Sequence, residues 1–69
     1  DLVVANLHGE VMLRLIDTSG FRQKQRFILS GLLRGEAKEI RRRLARPDIR
    51  IVEEWVRDGI WHTFYGMRA

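Results

Sequence analysis

The first seven residues read DLVVANL, an apolar run closed by an Ala-Asn pair, with no polar alternation. A short continuous run of this kind suits a β-strand buried on both faces. Such a strand needs a neighbouring strand beside it and helices over it. His8-Gly9 breaks the run, so the strand ends on Asn6 or just beyond it.

The rest of the chain supplies candidates for that cover. Glu10 to Ile16 carries Met12, Leu15 and Ile16 at helical spacing and predicts a short helix. Asp17-Thr18-Ser19-Gly20 is a loop signal, and the mostly polar stretch from Phe21 to Gln25 continues that connection. RFILS, from Arg26 to Ser30, predicts a second apolar strand ending at Gly31. Leu33, Ala37, Ile40 and Leu44 then form one helical stripe. Glu36 and Glu39 lie early in that helix, and Arg41, Arg42, Arg43 and Arg46 lie late, as the helix dipole favours. Pro47 ends it.

IRIVEEWVR, residues 49–57, predicts a third strand, and Asp58-Gly59 is a strong two-residue hairpin turn. IWHTFYG returns from it as a fourth strand. A two-residue loop sets Val56 opposite Trp61, Trp55 opposite His62 and Glu54 opposite Thr63. The order is strand, helix, strand, helix, strand, strand, an α/β pattern. Its first three strands are expected to be parallel, with right-handed crossovers, and its last antiparallel. Two helices cover both faces of four strands poorly, so the pattern looks like half of a doubly wound, Rossmann-like domain.

Composition bounds what such a piece can do. Its 69 residues make one domain or less, and the absence of cysteine excludes disulfides and Cys-based zinc sites. That absence fits a reducing, cytoplasmic setting. No apolar run approaches the ~18 residues of a membrane span, and there is no secretory pattern. The first residue is Asp1 and not Met, so a processed chain or a piece of a longer one is expected. The net charge of +4 favours acidic partners, nucleic acid among them, although the charges are mixed.

Asn6 is the first candidate site residue. In open α/β sheets, ligands sit outside the carboxyl ends of strands, and an Asn amide offers both a donor and an acceptor there. The alternative is a turn residue satisfying local backbone. His8 beside it is either a ligand contact or a solvated loop residue, and Ser30-Gly31 either a second contact or a tight strand-to-helix turn. No G-x-S-x-G elbow surrounds Ser30. His8 and His62 show no metal-ligand spacing. Glu53 and Glu54, adjacent on a strand, point to opposite faces and cannot act as a carboxylate pair. Arg41, Arg42 and Arg43 fit a solvated helix face first and phosphate contact second. Trp55, Trp61, Phe64 and Tyr65 fit hairpin packing first and base stacking second. No glycine-rich phosphate loop is present, and no acidic residue closes the second strand to hold a ribose.

DLVVANL, the LSGLL of residues 29–33 and EEWVRDGIWHTFYGMR near the end together resemble the C-terminal portion of the ribosomal protein L eleven methyltransferase family. The resemblance covers nearly all of the chain, including the spacing from V-A-N to L-S-G to E-W-V. It implies the last four strands of a seven-stranded, S-adenosylmethionine-dependent class I methyltransferase domain, the final strand antiparallel in a hairpin. In that family the Asn of V-A-N contacts the cofactor and positions the amine to be methylated, a role that maps onto Asn6, and Asp1 looks like the residue that begins the motif. Leu7, His8 and Ser30 fall on the implied substrate side.

The family's glycine-rich loop and acidic ribose-binding residue lie upstream of this segment. Many methyltransferases of the fold carry Pro-Gly-Gly before their fifth strand, where this chain reads Arg22-Gln23-Lys24-Gln25-Arg26. DNA amino-methylating enzymes carry Pro or an aromatic where Leu7 stands, so the resemblance favours a protein amine, with a ribosomal protein as the implied substrate, over a base. The 69 residues alone are expected to be inactive. The alternatives are a small basic module binding RNA or an acidic protein through the helix that carries Arg41 to Arg46, and a piece that self-associates through its first strand.

Overall fold

The computed structural model describes all 69 residues. A four-stranded mixed sheet and three helices alternate as β1 (Leu2–Asn6), α1 (Gly9–Ile16), α2 (Ser19–Arg22), β2 (Arg26–Leu32), α3 (Arg34–Leu44), β3 (Ile49–Arg57) and β4 (Trp61–Arg68). The expected strand and helix positions are all occupied, and α2 is an addition. Thr18 caps α2 by accepting a 3.2 Å hydrogen bond at Oγ1 from the Phe21 backbone N–H. The turn buries Phe21 against Phe27, with ring centroids 5.2 Å apart. The stretch from Phe21 to Gln25 is therefore not simply connection, because Phe21 belongs to the core.

The strand order is β1-β2-β4-β3. β1 and β2 are parallel neighbours, while β4 runs antiparallel between β2 and β3. The first three strands thus all point the same way, as expected, and β4 lies between β2 and β3. Burial explains that order. β4 carries Phe64 and Gly66, both buried, and takes the central place; β3, with Arg50, Glu53 and Arg57 exposed, takes the edge.

Register alternation assigns the two faces. Val3 and Ala5 pair with Phe27 and Leu29, which pair with Gly66 and Phe64. Onto this face pack Met12 and Ile16 of α1, Phe21 of α2, and Ala37, Ile40 and Leu44 of α3, in a single core. All three helices therefore lie on one side. The other face presents Leu2, Val4, Ile28, Tyr65 and Met67, with Val4 66% exposed. The two-faced apolarity of β1 is answered by helices on one side only.

The hairpin departs from its predicted register by one residue. The Asp58-Gly59 turn forms, with φ of 55° and 65°, and the Ile60 N–H donates to the Arg57 carbonyl at 3.0 Å. Ile60 then bulges out and pairing begins at Arg57↔Trp61, so Val56 faces His62, Trp55 faces Thr63 and Glu54 faces Phe64. A one-residue slip changes which side chains share a face. In the two-residue register Trp55 and Trp61 would lie on opposite faces. In the structure both lie on the face without helices. A second bulge leaves Val52 without a partner between Ile51↔Gly66 and Glu53↔Tyr65, which returns Ile51 to the core side.

Candidate functional site

The carboxyl ends of β1 and β2 meet at Asn6 and Ser30, which are paired in the parallel ladder. The ladder runs one bond further, from the Leu7 N–H to the Ser30 carbonyl at 3.3 Å. His8 then takes the extended N-cap position of α1 with no side-chain capping bond. A third bulge shapes this end. Between Leu29↔Phe64 and Leu32↔His62, β2 carries one residue more than β4, and Gly31 absorbs it at φ 82°. A Cβ on Gly31 would overlap Asn6 Oδ1, so the glycine gives the Asn6 amide its place.

The Asn6 amide has no hydrogen-bond partner within the chain; the bonds at this rim are Ser30 Oγ to the Ala5 carbonyl at 3.5 Å and the Leu7–Ser30 ladder bond. That removes the reading of Asn6 as a residue spent on its own turn. Asn6, Leu7, His8 and Ser30 line one open cleft of ≈ 770 Å³. Gly31 and the α1 residue Val11 complete that wall, and Trp55, Arg57, Trp61 and Thr63 of the hairpin form the other. Trp55 is 45% and Trp61 39% exposed, so neither serves as core packing; Phe64 alone of the four hairpin aromatics is fully buried. The two tryptophans lie in cross-strand pairs of the hairpin, Trp55 opposite Thr63 and Trp61 opposite Arg57, and the bulged register keeps both off the core face.

Asp1 is not brought to the cleft. It stands at the opposite end of β1, where its carboxylate accepts a 2.8 Å hydrogen bond from the Gln25 N–H and pairs with Lys24 at 3.7 Å. It fixes the start of β1 to the segment entering β2. The hairpin wall was the part that sequence reasoning missed. The signal available was a DG turn flanked by two tryptophans, but only the bulge at Ile60 puts them on one face.

The helix N-termini beside the cleft are already satisfied. Glu36 accepts from the Leu33 N–H at 2.9 Å and from the Gly9 N–H at 3.1 Å, so one carboxylate bridges the starts of α3 and α1. Those two backbone bonds, Leu33's first, hold its pKa below the ordinary carboxylate value. Gly9 is required for this approach, because a Cβ there would stand 2.7 Å from Glu36 Cγ.

The basic helix faces away from the cleft and is paired within the chain. Arg41 grips Glu54 through two bonds of 3.2 and 2.6 Å, with its guanidinium 5.6 Å from the centroid of the Phe64 ring. Arg42 pairs with Glu39, Arg43 reaches Glu39 and Asp17, and Arg46 holds Asp48 at 3.0 and 2.9 Å. The hydrogen bond from Arg41 lowers the pKa of Glu54, and the one from Arg42 lowers that of Glu39. His62 Nδ1 lies 3.0 Å from Glu54 Oε2, which makes His62 a structural partner on the helix side. Glu53 and Glu54 point to opposite faces, as their adjacency requires.

Comparison with protein-family models, with curated proteins and with solved structures finds no match to the chain. The chemistry of the site therefore rests on its own residues. No three of its His, Asp and Glu side chains converge as a metal site. No helix is long and apolar enough to cross a membrane.

Proposed function

We propose that the chain is the C-terminal part of a Rossmann-like, S-adenosylmethionine-dependent class I methyltransferase domain that methylates an amino group of a protein, with a ribosomal protein as the substrate class the resemblance implies. The observation that carries this reading is Asn6. Its unpaired amide stands at the carboxyl end of the apolar β1, over Gly31, in a cleft shared with Leu7, His8 and Ser30. Ligands of open α/β sheets are bound at this end of the strands. The antiparallel return of β4 also agrees with the final hairpin that the resemblance implies.

The donor set fits one side of the methyl donor. Asn6 offers a free amide oxygen and nitrogen, while the residues that would hold the donor's ribose and its glycine-rich loop belong to the implied upstream segment. When bound, the donor supplies an electrophilic methyl carbon. Asn6 accepts from, and so orients, the amine N–H. That alignment of nucleophile and methyl is where enzymes of this kind gain most of their rate. Leu7 and His8 form the floor and rim beside the amine, and the Ser30 hydroxyl stands across from Asn6. None of these residues is assigned the role of general base.

Two measurements test the reading. Calorimetry of the 69-residue chain with S-adenosylmethionine is expected to show no binding, and tight binding would refute its status as a partial domain. The protein extended through the upstream part of its gene is expected to transfer methyl groups to a protein amine. There, Asn6→Ala should lower kcat by ~100-fold or more, as loss of an aligning contact does. An extended protein that binds no methyl donor would end the proposal.

A further inference from the structure

The hairpin wall of the cleft has no part in the reading above. On it Arg57 faces Trp61 across the ladder, Trp55 faces Thr63, and all four side chains share the face that carries Asn6 and Ser30. Arg57 makes no ion pair or side-chain hydrogen bond within the chain, whereas Arg41, Arg42, Arg43 and Arg46 are all paired. It is the one guanidinium lining the cleft, and no carboxylate lines it. An exposed, uncommitted guanidinium between two half-exposed indoles combines a bidentate carboxylate site with flat apolar walls.

We propose that Trp55, Arg57 and Trp61 form a subsite for an acidic segment of a peptide, held so that a neighbouring amine reaches Asn6. Arg57 takes the Asp or Glu carboxylate in two parallel hydrogen bonds, and the indoles flank the backbone and side-chain methylenes on either side. Thr63 supplies a hydroxyl to the peptide backbone. The cleft volume of ≈ 770 Å³ is that of a few residues and lies in the usual range of ligand sites. A peptide fits better than nucleic acid. A single-stranded nucleic acid needs a track of cations along its backbone, and this cleft offers one Arg while the basic helix lies on the other side of the sheet. The identity of the amine as methyl acceptor rests on the proposed function; the acidic preference of the subsite does not.

The chain has only two tryptophans, and both line the cleft, so its fluorescence reports on this site directly. The 69-residue chain is titrated with the peptides Ala-Asp-Glu-Ala and Ala-Lys-Lys-Ala, each with a free amino terminus and an amidated carboxyl end. The acidic peptide should give a saturable change in emission that weakens with salt, and the basic peptide none. Arg57→Glu should raise the acidic peptide's Kd about tenfold or more and bring a response to the basic one, while Arg57→Lys keeps part of the acidic preference. Arg57 is exposed, so both variants should keep the wild-type circular dichroism. Equal responses to the two peptides, no response to the acidic peptide, or an Arg57→Glu variant that binds it as before would overturn the subsite. So would a hexauridylate that binds the same tryptophans more tightly. An extended protein without methyl-donor binding removes the methyltransferase reading and leaves this titration standing; a titration without acidic preference removes the subsite and leaves the role of Asn6 standing.

Discussion

At Gly31 two constraints meet in one residue. The backbone sits at φ 82°, which a side chain makes costly, and Asn6 Oδ1 fills the space where a Cβ would stand. Gly31→Ala should therefore destabilise the fold by more than the ~1 kcal/mol of a left-handed Ala alone, with about 2 kcal/mol as the expected loss in urea denaturation. Placing the same change in an Asn6→Ala background removes the overlap and leaves the backbone cost, so the double-mutant cycle should show favourable coupling. Simple additivity would mean that the two residues do not touch. At this scale the place of Asn6 at the end of β1 was legible in the sequence, because His8-Gly9 breaks the apolar run just beyond it. Trp55 and Trp61 were not. Their exposure follows from a single bulged residue, Ile60, and a turn-type rule that correctly predicts Asp58-Gly59 says nothing about the residue after it.

Among the elements, α1 and α3 are joined at their N-termini by one carboxylate, Glu36, and this link holds His8 and Leu7 at the cleft. Glu36→Gln leaves an amide oxygen to accept one N–H and a nitrogen that repels the other, so a loss of about 1 kcal/mol is expected, the usual worth of a cap. The pH dependence has a definite sign. The folded pKa of Glu36 lies below its unfolded value, so its contribution is complete above the unfolded carboxylate range, near 4.3, and is lost as the pH falls through the lower folded value. Glu54, lowered by Arg41, acts in the same direction. Urea midpoints taken from pH 7 down to pH 3 should fall for the wild type and fall less for Glu36→Gln. An identical slope would show that the bridge contributes nothing to acid sensitivity. The sequence displayed Glu36 only as an early acidic residue suited to the dipole, because its second bond, to Gly9, crosses 27 positions of chain. The short α2 was hidden for a local reason. Ser19-Gly20 reads as loop, and a single turn of helix is too short for periodicity to reveal the burial of Phe21.

The whole molecule has a sheet with two unequal edges and one uncovered face. The element order was legible because each apolar run matched one period, but the insertion of β4 between β2 and β3 was not, since hairpin strands pair with each other whichever of them sits inside. The edge at β3 is guarded by Arg50, Glu53 and Arg57 and by the bulge at Val52. Such charges and irregularities discourage pairing with another sheet. The edge at β1 has neither: Leu2–Asn6 carries no charge and no bulge, it pairs only with β2, and Val4 projects into solvent on the uncovered face. A small chain buries only ~60% of its unfolded surface, which leaves it dependent on further cover. Self-association of the isolated chain is therefore expected to run through β1. Sedimentation equilibrium should show a mass that rises with concentration in the range of roughly 10 μM to 1 mM, the regime of weak edge contacts. Val4→Lys, which puts a charge on that edge and face, should weaken association about tenfold or more, whereas Val52→Lys at the opposite edge should leave it unchanged. A monomeric mass across the whole range would sink the idea, and equal effects of the two substitutions would move the contact away from β1. In a complete methyltransferase domain of the kind the resemblance implies, the same edge would be occupied by the first strand of that domain, so the extended protein should lose the association expected of the 69-residue chain.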